Sequence, residues 1–163
     1  MSTAAETQTN DREIVITREF DANRELLWDV WTEPKHVEKW FGPVGFTTKV
    51  TEQDMKPGGK SVYIMTGPDG TEYPGKGVYK EIVRPERIVT TDEFGDGFDA
   101  KGIDLPEGMI LTALFDDLGE KTRLTLRISH PTTEDRKKHE DMGVVGGWNS
   151  SFDKLVGYLS EIK

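Results

Sequence analysis

The sequence predicts an α+β fold in which a curved antiparallel sheet wraps around a long C-terminal helix. Three observations predict it. The element order runs strand, two short helices, a run of strands joined by short turns, then one helix. The strands are rich in β-branched and aromatic residues and are separated by Gly, Pro and Asp clusters. The last helix carries a single apolar stripe, which suits the concave face of a sheet that curls because its strands twist.

Taken in order, residues 13–20 form the first strand, with Ile14, Ile16 and Arg18 alternating against Val15 and Thr17. Asp21 and Asn23 offer cap oxygens for a helix over 24–31, where Leu27, Trp28 and Trp31 recur at helical spacing. Thr32 is expected to cap a second short helix with Pro34 in its first turn. That helix carries Val37, Trp40 and Phe41 and stops at Gly42-Pro43. Strands follow over 46–53, 60–66, 75–83 and 87–93, the first hairpin turning at Gly67-Pro68-Asp69-Gly70. A Gly- and Asp-rich segment, 95–108, is read as a mobile flap at a cavity mouth. Strands over 109–115 and 122–129 form a last hairpin. From Pro131 the start signal Thr132-Thr133-Glu134-Asp135 opens one helix, with Met142, Val145, Trp148, Phe152, Leu155 and Leu159 on its apolar stripe.

The chain of 163 residues is one domain's worth, read as a disordered tail over 1–12 and a single domain over 13–163. Thirty acids against 21 bases leave a formal charge of -9, which argues against a nucleic-acid surface or an anionic membrane patch. There is no cysteine, so disulfides, thiol nucleophiles, iron–sulfur clusters and cysteine-ligated zinc are excluded. No apolar run of about 18 residues predicts a membrane span, and the polar N-terminus lacks signal-peptide order. The expected location is the cytoplasm.

Most motifs dissolve on inspection. Lys56-Pro57-Gly58-Gly59-Lys60 lacks phosphate-loop spacing and enters a strand, so it reads as a tight turn. His139-Glu140 begins like a zinc-protease motif, but Gly143 stands where the second His must be, and no metal is expected. The acidic stretch from Asp92 to Asp104 lacks the alternating ligands of a calcium loop and reads as solvated loop. The last helix holds Gly143, Gly146 and Gly147 within five residues, each costing about 1 kcal/mol relative to Ala. Either they allow close packing on the sheet, or with Trp148 they shape a cavity wall.

Arg18-Glu19-Phe20-Asp21-Ala22, Leu27-Trp28, Trp40-Phe41-Gly42-Pro43 and Pro57-Gly58-Gly59 occur in that order. They are followed by Gly67-Pro68-Asp69-Gly70, Gly77-Val78-Tyr79-Lys80-Glu81-Ile82, Pro85-Glu86-Arg87-Ile88-Val89 and a closing Gly147-Trp148 with Leu155 and Tyr158-Leu159. This ordered set resembles the activator-of-heat-shock-protein-ATPase-like family of the START-like (SRPBCC) superfamily. The resemblance implies the helix-grip fold and an apolar cavity between sheet and last helix, and it carries no catalytic set. Fold does not fix function.

Three functions follow as expectations. The first is binding of a small hydrophobic or amphipathic ligand (a lipid, sterol, flavonoid or polyketide). The candidate cavity residues are Trp40 and Phe41, Tyr63 and Met65, Phe94, Met109 and Leu111, His130, and Trp148 with Phe152. The second is a cyclase- or hydrolase-like enzyme using His130, Glu81 or Tyr63. The third is a co-chaperone that stimulates a chaperone ATPase. Neither cofactor nor nucleic-acid partner is expected, and the protein is expected to be a monomer.

Overall fold

The computed structural model describes residues 6–162. Its strands are β1 Glu6–Thr9, β2 Glu13–Phe20, β3 Thr47–Gln53, β4 Lys60–Thr66, β5 Glu72–Val83, β6 Arg87–Phe94, β7 Met109–Asp117 and β8 Thr122–Ser129. The helices are α1 Arg24–Thr32, α2 Pro34–Trp40, α3 Thr133–Asp141 and α4 Val144–Ile162. All eight strands join one antiparallel sheet in the order β1-β2-β8-β7-β6-β5-β4-β3. Register shifts between Val50 and Glu52 on β3 and between Tyr79 and Glu81 on β5 mark bulges, which bend a strand and increase its twist.

Period-two alternation decides which side chains face the helices. Ile14, Ile16 and Phe20 of β2, Ala113 and Phe115 of β7, and Leu124, Leu126 and Ile128 of β8 are buried together. α4 lies across them: Phe152 meets Phe20 edge-on at 5.4 Å, and Arg18 Nη1 donates to Asp153 Oδ1 at 2.9 Å. α1 adds Leu27, Trp28 and Val30 to the same core, with Trp28 against Phe115 at 5.3 Å.

Four expectations need correction. Glu6–Thr9 is not tail: it pairs with Ile14–Thr17 as an exposed edge strand, while residues 1–5 of the expected tail lie outside the described residues. Asn23 caps α1 as expected, its side chain accepting from Leu26 N, but Thr32 does not cap α2. The Thr32 hydroxyl instead donates back to Trp28 O at 2.8 Å, closing α1, and Glu33 opens α2 without a side-chain cap. β5 begins at Glu72, three residues earlier than expected, because Pro74 pairs within the ladder opposite Ile64. The C-terminal helix is two helices, and Gly143 at φ +87 is the reason: that backbone conformation ends α3 and lets α4 start in a new direction.

Candidate functional site

The two ends of the sheet are covered differently. Beneath α2 and the start of α4 lie two adjoining cavities of about 130 and about 280 Å³. Phe41, Tyr63, Asp92 and Trp148 line both, so they form the partition between two chambers of one space. Three of these four are aromatic rings in contact. Phe41 meets Tyr63 at 5.1 Å and Trp148 at 5.4 Å, and Trp148 lies parallel to Trp31 at 5.8 Å.

β4, β5 and β6 supply the floor. Ser61, Tyr63 and Met65 share one face of β4, and Ile88, Thr90, Asp92 and Phe94 share one face of β6. Between them β5 turns inward Tyr73, Gly75, Gly77 and Tyr79. Gly75 is required by Tyr63: a Cβ there would stand 2.3 Å from the tyrosine ring, which lies across the β5 backbone. The glycines of α4 also face space. A Cβ on Gly146 would meet nothing within 4 Å, and one on Gly147 only Pro43 Cγ at 3.9 Å. Close helix-on-sheet packing therefore does not explain them, and Gly147 is part of the second chamber's wall.

The polar groups of the site are few. Asp92 lines both chambers and an outer groove that runs under residues 95–97, Phe98 and 105–108. Its carboxylate has no hydrogen bond or ion pair among the described residues. Burial, with the Glu93 carboxylate second, pushes it up to about 6. Burial and then the Asp92 charge push the Tyr63 hydroxyl up as well. Trp31 Nε1, also at the first chamber, is buried without an acceptor among the described residues. Gln53, on the far wall of that chamber, donates to Thr32 O.

His139, on α3, closes one side of the second chamber. The Arg12 carbonyl accepts from His130 Nδ1 at 2.8 Å, which leaves His130 Nε2 to accept from His139 Nδ1 at 3.0 Å. Burial, with His130 second, holds His139 down at about 4, and burial lowers His130 too. The pair ties α3 to the start of β2 in the neutral state.

Of the ten sequence-predicted residues, eight line the chambers: Trp40, Phe41, Tyr63, Met65, Phe94, Met109, Leu111 and Trp148. Phe152 lies in the dry core against Phe20. His130 stands behind His139 and outside both chambers. Glu81 is exposed and paired with Arg87, far from an acid–base role in the cavity. Asp92 corrects the reading of 92–104 as solvated loop: it is the sixth residue of β6, two places from Thr90 and Phe94 on the inward face. Strand alternation is the signal that would have found it. The segment 95–108 does border the site, with Phe98 packed on Phe94 at 4.7 Å and lining the second chamber. Lys138 Nζ holds Asp104 at 2.7 Å.

Among the described residues no three metal-ligating side chains cluster, and no helix is long and apolar enough to cross a membrane. The family described as "Activator of Hsp90 ATPase homolog 1-like protein" matches residues 21–160. A solution structure of a protein from Arthrobacter aurescens is similar over 98% of this chain and 93% of its own, at TM-score 0.89 and 28% identity. Protein Ms6760 from Mycobacterium smegmatis is similar over 100% of both chains, at TM-score 0.85 and 26% identity. CalU16 from Micromonospora echinospora shares the fold, at TM-score 0.62 and 20% identity over 98% of this chain and 87% of its own. No curated protein matches the chain.

Proposed function

The chain belongs to the activator of Hsp90 ATPase homolog 1-like family, and from that premise we propose that it binds a small hydrophobic or amphipathic molecule between sheet and C-terminal helix. One observation supports the reading: two chambers share an aromatic partition whose three rings come from different places in the chain, the residue after α2, β4 and α4. Ligand sites are concave, mostly apolar and about 300–1,000 Å³, with a few convergent polar groups. The first chamber is near the size that holds one benzene ring, about 150 Å³. The second is about twice that. Trp40, Phe41, Tyr63, Met65, Phe94, Met109, Leu111 and Trp148 are the ligand-contacting residues on this reading, in a monomeric cytoplasmic protein.

A two-dimensional amide NMR titration with lipids, sterols, flavonoids and aromatic polyketides tests it. Saturable shifts confined to β4–β6, the start of α4 and residues 95–108 are expected. A panel that leaves every amide in place, with Trp fluorescence also unchanged, would sink the reading.

A second reading, catalysis, is favoured by one observation. Asp92 lines both chambers with its carboxyl pushed up to about 6 by burial, which suits a general acid or base. Tyr63 is the other candidate that reaches the site, since His130 and Glu81 do not. Turnover of an activated ester or polyketide analogue that vanishes in Asp92→Asn would establish it. Stimulation of a chaperone ATPase would rest on the family description alone.

A further inference from the structure

We propose that the ligand is an organic cation, an amine carrying an aromatic or alkyl body, whose ammonium meets Asp92 while its body fills the aromatic chambers. The proposal rests on the binding reading above and narrows it. Asp92 is the one carboxylate that lines both chambers and also the outer groove, so a ligand entering under residues 95–108 meets it. No donor among the described residues reaches its oxygens. Asp92 is partly buried, and a carboxylate drawn even partly out of water without hydrogen bonds is costly, which a counter-cation relieves.

The surroundings offer one cation, and a different carboxylate already holds it. Lys76 is the nearest basic residue on the neighbouring strand. It lines the first chamber and the outer groove beside Asp92, but its Nζ bonds Asp96 Oδ1 at 3.2 Å, and no ion pair joins it to Asp92 among the described residues. Glu93, next on β6, also lines the second chamber and the outer groove and adds a second negative charge. On β4 the facing titratable group is Tyr63, which stays a neutral hydroxyl. On α3 it is His139, which burial keeps uncharged at neutral pH. β7 places Met109 opposite Asp92, and α4 brings Trp148, neither of them ionisable. Apart from Glu93 and the Lys76 that Asp96 holds, the wall around the carboxylate is uncharged, and much of it is π-face.

That combination discriminates by charge. Aromatic faces attract cations through their quadrupole, most of all where water is excluded. An anionic ligand would bring a third negative charge beside Asp92 and Glu93 in a chain of formal charge -9. A neutral ligand would fill the space and leave the carboxylate unneutralised.

The test is a matched trio measured by calorimetry at pH 7.5: 2-(1-naphthyl)ethylamine, 2-(1-naphthyl)ethanol and 1-naphthaleneacetate. The amine is expected to bind at least about tenfold tighter than the alcohol, and the carboxylate more weakly than either. Because the ammonium prefers ionised Asp92, the amine's advantage shrinks as pH falls from 7.5 to 5, below the value near 6 at which that group titrates. In Asp92→Asn the amine loses its advantage over the alcohol. Equal binding of amine and alcohol in the unaltered protein, or an amine advantage that survives Asp92→Asn, overturns the cation assignment and leaves the cavity reading standing. Absence of binding by all three overturns both.

Discussion

Two halves of one sheet, built on the same alternation, are filled differently. Along β2 and β8 the inward positions are Ile14, Ile16, Phe20, Leu124, Leu126 and Ile128, joined by Phe115 of β7, and α4 closes on them with the fully buried Phe152 and Leu155. Along β4, β5 and β6 the inward positions include Tyr63, Thr90 and Asp92, two glycines and a methionine, and two chambers stay open. The first half buries every apolar atom it can and supplies stability. The second half keeps the Asp92 carboxylate without a partner among the described residues, a cost to folding that the proposed ligand would offset. Gly143 is the joint between the two, because it lets α4 follow the packed half while α3 turns aside over the second chamber.

The largest effect should come from the packed half. Phe152→Ala removes a fully buried ring that touches Phe20, Trp31 and Trp148, and should cost about 3–5 kcal/mol in urea unfolding. A loss below about 1 kcal/mol would mean that this half is not dry.

Next in size, and opposite in sign, is Asp92→Asn. Folding raises this carboxyl from 3.8 to about 6, so the native state prefers it protonated. Its contribution is fully present below about pH 4 and is lost as pH rises through about 6. At about 1.4 kcal/mol per pH unit the ionised form costs up to about 3 kcal/mol. The Asn variant should therefore be more stable than the parent by up to that amount at pH 8, and no different at pH 3.5. His139 runs the other way. Its value falls from 6.5 to about 4, so its contribution is present above 6.5 and is lost as pH drops toward 4. In the parent the two trends oppose each other between pH 4 and 6. In Asp92→Asn the histidine limb should stand alone, seen as a steeper loss of stability in acid. A flat difference between the two proteins from pH 3.5 to 8 would show that Asp92 is solvated.

What could be read before the structure follows the same division. The packed half was legible because long β-branched and Leu-rich alternations such as 13–20 and 122–129 admit one register, and any slip would turn the apolar set to water. The aromatic walls were legible as residue types, since Trp40, Phe41, Tyr63 and Trp148 announce themselves in any core. Whether they enclose space was not, because core and pocket draw on the same residues. Asp92 was missed because it stands at the border of an acidic, glycine-rich run, and composition outweighed its place in the strand's alternation. His130 was over-read: a lone strand-end histidine gives no sign that its ring is committed to Arg12 and His139. The break at Gly143 was hidden by an apolar stripe that continues in step across it, from Met142 to Val145.

A smaller effect separates wall from core directly. Trp148 is half-buried and lines both chambers, so truncation should cost less than at Phe152, about 1–2 kcal/mol, while removing the shared partition. Ligand affinity should fall at least about tenfold in Trp148→Ala. A full core-sized loss of stability with affinity intact would place this tryptophan with the packed half.

The smallest effect belongs to the glycines at the start of α4. Gly146→Ala adds a methyl that meets nothing within 4 Å, at a position without positive φ. Helix propensity then stabilises the native state, and the lost freedom of the unfolded chain adds to it, by up to about 1 kcal/mol in all. Gly147→Ala should gain a similar amount, since its only non-local neighbour is Pro43 Cγ at 3.9 Å. The two differ in what the methyl faces, because Gly147 lines the second chamber and Gly146 does not. Ligand affinity should therefore change in Gly147→Ala and stay fixed in Gly146→Ala. Equal affinities in both, alongside the expected rise in Tm, would mean that the bound molecule stops short of α4 and occupies the first chamber alone.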